Sequence, residues 1–516
     1  MNQSVDPCDD FYQFACGNWL NEHPIPENSY RVSSLQIASD QLNERLIRIF
    51  EEDNSEAENG GIKKAKNFYK SCLNLKKIDE IGDRPIRFAI KRLGGWPVMS
   101  SFRFPLGLSL ERLLAKLRSI YNMNIIIDEA VLTDDRNSSI NIIKFDKPDL
   151  CLPSRDYFLI ESGKAIRDAY LEMMIKVAVS MGASRKKAIS IPGADLRDPL
   201  VNYNKMTLHE LQQIVRNFNF KLYLNLFMPK YITKSEKVII VKFYRITPSG
   251  DLCNRVCPKW IRVSKLVDTL LDTFVNMLTN LHWMNDETRA RAIDKAKNID
   301  KQVAYPTIMT NEEYIENQYA QLEIDKNEFL QSYLNILKFR AKQNYDKINE
   351  LVFKDRWTQV RIVNAFYDES KNQIVIPAGI IEAPFFNHNA PMELNFSRIG
   401  MVIGHEIIHS FDDQRRLYDK HGNLNDWWEN KTSERFDQKA QCVIDQYSSY
   451  TIDSIRMNVD GKLTLSENIA DNGGIKATNK ASKQYKMNEG SKKILPYLNM
   501  TQEQLFFLNF AQVRRF

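Results

Sequence analysis

The most constraining feature of this chain is five residues long: His405-Glu406-Ile407-Ile408-His409. Two histidines four apart on an α-helix are offset by about 40° and 6 Å, so both imidazoles leave the same face. That geometry suits two nitrogen donors about 2.0–2.1 Å from one zinc ion. Glu406, carried between them, can reach a water on such an ion and accept its proton. Coincidence explains the pattern poorly: with seven His in 516 residues, it is expected about 0.006 times. Two metal-free core histidines explain it no better, because burying them with a carboxylate leaves a desolvation cost unaccounted for.

A catalytic zinc needs a third protein donor and an open position for water. His421 comes too late and lies in a Gly-Asn turn, so the expected third donor is Glu467, in Thr464-Leu465-Ser466-Glu467-Asn468-Ile469-Ala470-Asp471. Glu467 and Asp471 share one face of a second helix, with Ser466 or Thr464 available as its cap. Asp471 is then placed to accept the spare N–H of a liganding His and fix its tautomer.

Around this pair of helices the chain reads as mainly α. Helical spacing covers Ala165 to Met181, Trp260 to Trp283 and roughly Ser397 to Arg416. Strand-like runs are short: Asn122 to Asp128, Ile140 to Phe145, Val238 to Tyr244, Asn364 to Tyr367 and Gln373 to Ile376. Loops are expected over Ile191 to Val201 and Arg245 to Pro258. The texture changes near 340–357, which divides the chain into an α-rich lobe, 1–350, and an α+β lobe, 351–516.

Composition narrows the function classes. With 43% apolar and 26% charged residues, the chain can bury large cores and is no disordered polymer. A net charge of +6, from 71 basic and 65 acidic residues, gives no field that argues for nucleic acid. No apolar run is long enough to span a bilayer, and the start lacks a signal peptide's pattern. Seven cysteines are too sparse for a disulfide scaffold, and Cys253 with Cys257 lacks the second pair of a zinc ribbon.

The motifs together resemble the neprilysin and endothelin-converting-enzyme family of zinc metallopeptidases, peptidase family M13. The resemblance rests on Val402 to His409 with Phe411-Asp412-Asp413, and on Glu467 to Gly474. It also rests on Asn364-Ala365-Phe366-Tyr367, Pro377 to Ile380, Leu505 to Val513 and the opening Asp6 to Gly17. It runs nearly end to end and weakens around 183–201 and 235–265. It implies a two-lobed gluzincin with a large helical N-terminal lobe and one Zn2+ held by His405, His409 and Glu467. Glu406 would be the base and Asp471 a supporting residue. Asn364 and Ala365 would bind the backbone of a small peptide substrate as an added strand, and Ile380, Phe385, Met401 and Val402 would line the pocket for a hydrophobic side chain after the cut. A cell-surface or secreted setting is implied too; a homodimer is left open.

The same resemblance exposes departures. The family's Phe-Ala-Gln-Val-Trp-Cys stands here as Phe510-Ala511-Gln512-Val513-Arg514-Arg515, one residue before the chain stops. Family members continue with a tail whose His stabilises the oxyanion, and Cys8, Cys16 and Cys442 resemble positions that pair with that tail. No His follows His421. The sequence therefore also carries a rival expectation: a truncated homologue that binds zinc and peptides without efficient cleavage. A cytosolic aminopeptidase fits less well, since those enzymes draw their third ligand from much nearer the His pair.

Overall fold

The computed structural model describes residues 1–27, 29, 31–55, 58–96, 109–146, 163–189, 212–213, 218–226, 239–241, 258–355, 357, 359–452, 457–489 and 500–513. Helices dominate and strands are few and short. In the amino-terminal half, α1 (Phe11–Glu22), α2 (Ser34–Glu51) and α3 (Leu110–Tyr121) each begin on a side-chain cap. Asp10, Ser33 and Ser109 accept the backbone N–H of Gln13, Gln36 and Arg112, satisfying donors the helix cannot. β1 (Asp128–Asp134) and β2 (Asn137–Asp146) follow as an antiparallel pair, and β3 (Ile239–Val241) joins β2 in parallel. Val131, Ile143 and Phe145 pack there with Leu114, Leu117 and Tyr121 of α3.

The larger core joins distant parts of the chain. Helix α4 (Pro258–Thr279) buries Val263, Leu266, Val267, Leu270 and Phe274 at helical spacing. It leads through α5 (Asp286–Lys297) into β4 (Asp300–Ala304). β4 pairs in parallel with β6 (Gln373–Pro377), whose other side carries antiparallel β5 (Phe366–Asp368) at the sheet edge. Every residue of β6 is buried. Among its further helices are α6 (Met401–His409), α7 (Asn430–Ser448), α8 (Leu465–Glu489) and α9 (Gln502–Val513). One apolar cluster thus runs from Ala38 and Val263 to Phe506 and Val513. It crosses the position near 350 where the sequence changes texture, although the described residues of 350–365 are turns and irregular chain.

Helices α6 and α8 approach so closely that side chains are excluded. A Cβ on Gly474 would lie 2.7 Å from the His405 backbone nitrogen, and one on Gly404 would lie 2.6 Å from Thr478 Oγ1. Only glycine permits this contact, and the contact is what brings Glu467 near the His pair.

Several element boundaries differ from those the sequence predicts. The helix expected over Ser397 to Arg416 starts early, at Met392, passes through a π turn over Phe396–Gly400, and ends at His409. It ends there because the Asp412 carboxylate accepts the N–H groups of Gln414 (3.0 Å) and Arg415 (2.7 Å), competing with helical bonding. The strand expected from Asn122 begins only at Asp128, since Asn122 turns left-handed (φ 50°) and closes α3 on the Arg118 carbonyl. Asn364 and Ala365 precede β5 rather than belonging to it. The helix from Ala165 is present as Lys164–Ser180, and the one expected to reach Trp283 stops at Thr279.

The loop over 191–201, the patch expected over 245–258 except Pro258, which begins α4, and the Cys253–Cys257 pair lie outside the described residues. Among the described residues, no disulfide joins Cys8, Cys16, Cys72 or Cys442, so the disulfides implied by resemblance have no counterpart there. The buried Cys16 sulfur instead donates to the Ala511 carbonyl at 3.5 Å, against α9. No described helix is long and apolar enough to cross a membrane.

Candidate metal centre

His405 and His409 point from one face of α6, and both are buried. Each is oriented from behind by a carboxylate. His405 Nδ1 donates to Asp471 Oδ1 at 2.8 Å and His409 Nδ1 to Asp412 Oδ2 at 2.9 Å, an assignment of tautomers made from these partners. Both Nε2 atoms therefore turn inward and stand 3.0 Å apart. Lone pairs at that distance repel unless a cation or proton lies between them.

The first residues of α8 supply the third donor. Glu467 brings one carboxylate oxygen to 3.3 Å from His405 Nε2 and the other to 3.7 Å from His409 Nε2. Donors about 2.05 Å from a tetrahedral zinc would lie about 3.4 Å apart. The two imidazole nitrogens are 3.0 Å apart, each has a Glu467 oxygen within 3.7 Å, and one ligand atom from each residue lies within 4.8 Å of the others, so these three residues fit the ion. Among the described residues they form the one such group. Glu467 is 65% exposed, which leaves the centre open on its side.

Charge at the centre follows from this packing. Burial opposes protonation of His405, yet hydrogen bonds to Asp471 and Glu467 and the field of Glu406 push its pKa up to about 9. The hydrogen bond from His405 holds the Glu467 carboxyl below its ordinary range. Asp412 is buried, which favours its neutral form, but His409 and Arg415 outweigh burial and keep it low. Glu406 is buried as well, and among the described residues its carboxylate has no hydrogen bond or ion pair.

The structure brings His405, His409, Glu467, Glu406 and Asp471 together. The expected caps are otherwise engaged: Ser466 donates to Asp413 at 2.7 Å, tying the start of α8 to the chain after α6, and Thr464 Oγ1 accepts from Asn468 at 2.9 Å. Of the residues expected to meet substrate, Asn364 is exposed beside buried Ala365, whose N–H it accepts at 2.9 Å. Ile380, Phe385 and Met401 are almost wholly buried, and Val402 is half-buried on α6.

Two supports escape the sequence reading. Asp412 orients His409 and is gripped by Arg415 Nη1 at 2.5 Å. Its position three residues after His409 is the signal that could have found it. Lys295, on α5, is fully buried and donates to the carbonyls of Ser410 (2.7 Å) and Arg415 (2.9 Å), holding the turn that carries Asp412. Burial pushes its amine down to about 7 against the pull of Asp412, Asp419 and Glu369. Nothing in the sequence around residue 295 announces this role.

A mainly α, two-lobed fold built round two helix-borne imidazoles, a carboxylate from a second helix and an intervening Glu is that of a zinc metallopeptidase. The models of peptidase family M13 match its amino-terminal domain over residues 7–245 and 258–306 and its catalytic domain over 364–515. The chain belongs to peptidase family M13, and its class of activity is zinc metalloendopeptidase. It is 33% identical to mouse membrane metallo-endopeptidase-like 1, over 99% of this chain and 81% of that protein. Mouse neprilysin is also 33% identical, over 99% and 83%. An inhibitor complex of a Mycobacterium tuberculosis zinc metalloprotease shares the fold, with a TM-score of 0.83 at 23% identity, covering 100% of this chain and 90% of that one.

Proposed function

We propose that this chain hydrolyses small peptides on the amino side of hydrophobic residues, with Glu406 as general base. The observation that carries the proposal is the convergence of His405, His409 and Glu467, whose ligand atoms all lie within 4.8 Å of one another, beside a buried carboxylate without a protein partner among the described residues. His405, His409 and Glu467 would hold one zinc ion per chain. When bound, the ion supplies Lewis acidity that polarises a peptide carbonyl and lowers the pKa of water to about 7. Asp471 and Asp412 keep the Nδ1 protons in place, so that both Nε2 atoms remain donors. Glu406 takes the proton of the attacking water and passes it to the leaving amine.

Substrate is held by the chain's own edges. β5 lies at the edge of its sheet, and Asn364 and Ala365, just before it, would bind an extended peptide by backbone hydrogen bonds. Ile380, Phe385, Met401 and Val402 would form the apolar wall for the side chain after the cut. The helical lobe, residues 1–350, would restrict entry to short peptides, at the cell surface or after secretion.

The test is Glu406→Gln. It should keep about one zinc per chain by metal analysis and lose about 10²–10⁴ in kcat on a short peptide. Retained turnover refutes Glu406 as base. Native protein that carries zinc and cuts no peptide refutes the proposal and leaves the binding-only homologue.

A further inference from the structure

A cavity of about 350 Å³ lies among α1, α2, α9, residues 383–384 and the π turn before α6, and none of the donor residues lines it. Its polar side is built around Arg398. Arg398 Nε donates to Asn509 Oδ1 at 2.8 Å, and the Asn509 amide nitrogen is itself committed to Leu394 O (3.0 Å) and Ser397 Oγ (2.6 Å). The guanidinium is therefore held in place by an amide that cannot flip without losing both bonds. Among the described residues neither terminal nitrogen of Arg398 has an acceptor, and no carboxylate acts on it. The acid next to the cavity, Glu382, is already paired with Lys259 at 2.8 Å and Arg45 at 3.5 Å.

A half-buried guanidinium with its fork unused is costly unless an anion fills it, and the planar fork matches a carboxylate better than a point charge does. The same cavity also has an aromatic and apolar lining. Trp19 stacks on His23 with centroids 4.5 Å apart at 16°, and the ring is pinned by His23 Nδ1 donating to the Trp19 carbonyl at 3.0 Å. Ile37, Pro384 and Val513 line the cavity as well, beside the polar side chains of Ser34, Gln41 and Gln512. The volume is at the small end of ligand sites, enough for one side-chain-sized molecule.

We propose that this cavity is a binding site for an organic carboxylate, its acid group paired with Arg398 and its apolar body laid against Trp19. The ligand is either a free small acid or the acidic side chain of a bound peptide. The site needs neither the zinc ion nor turnover, so it stands or falls separately from the peptidase activity.

The probes are phenylacetate and its neutral counterpart phenylacetamide, titrated calorimetrically into the full chain with and without chelator. Phenylacetate should bind at least about tenfold more tightly than the amide, equally in both preparations. Arg398→Gln should erase the difference, Arg398→Lys should restore part of it, and Trp19→Ala should weaken both probes alike. Competition by capped peptides containing Glu, but not by those containing Gln, assigns the peptide as source; competition by neither assigns free acids, and both outcomes uphold the site. Equal affinity for acid and amide, no binding of either, or a preference that survives in Arg398→Gln overturns it. If Arg398→Gln fails to fold, as judged by its melting curve, the acid–amide comparison on the native chain and on Trp19→Ala still decides.

Discussion

Replacing Gly474 by Ala adds one methyl group where α6 and α8 touch. Inside a helix this change ordinarily stabilises by about 1 kcal/mol. Here the new carbon would lie 2.7 Å from the His405 nitrogen and 3.0 Å from its Cα, where 3.4 Å is ordinary contact. Backbone atoms of a buried helix cannot rotate aside, so α8 must retreat by about 0.7 Å. Overpacking of this kind costs about 1–3 kcal/mol, enough to cancel or exceed the gain in helix propensity. The larger effect falls on the metal. Glu467 rides on α8 seven residues before Gly474, and a shift of about 0.7 Å exceeds the about 0.2 Å tolerance of a metal–ligand distance. Zinc affinity should fall by about 10–100-fold, or about 1.4–2.7 kcal/mol. Competition with a chromophoric chelator measures it, alongside the melting temperature of the metal-free protein. Gly473→Ala is the comparison, because its clash at 2.9 Å falls on the Cγ1 and Cγ2 atoms of the Ile408 side chain rather than on the backbone of α6. A Gly474→Ala protein that melts higher and binds zinc as tightly as the native chain would refute the reasoning.

Asp412→Ala and Asp471→Ala should each weaken zinc binding by about 10–100-fold in the same competition assay, because each removes the acceptor that orients one imidazole. In the metal-free protein His405 holds its proton up to a pKa of about 9, above its ordinary 6.5. Zinc takes the neutral ring, so the proton competes with the metal: apparent affinity should fall by up to about tenfold per pH unit on going below 9. Calorimetry in buffers of different ionisation enthalpy should register the released proton near neutral pH, and an affinity flat between pH 7 and 9 would contradict it. Lys295→Met leaves the carbonyls of Ser410 and Arg415 without their buried donor. It should destabilise the protein by about 2–5 kcal/mol in denaturant unfolding.

Much of the centre was legible because it depends on local periodicity. Two His four apart on an apolar helix can only project together, and Glu467 with Asp471 repeats that logic on a second helix. Boundaries were less legible, because they turn on single side chains competing with the backbone. Asp412 ends α6 at His409, and Asn122 delays β1, through bonds that no periodic pattern encodes.

What the sequence determined by itself, then, is the chemistry: which nitrogens and oxygens can serve a metal, and the mainly helical chain that carries them. The tertiary structure decided everything that depends on atoms distant along the chain. It seated Glu467 against the His pair through the glycine contact at Gly404 and Gly474, buried Lys295 under the turn of Asp412, and joined residues 258–304 to a core that ends at Val513. It also placed Arg398 in the lining of a cavity with no acid of its own among the described residues. Spacing along a helix is set by covalent geometry and is readable in one dimension. Contact between helices is set by volume and close packing, and those exist only once the chain has folded.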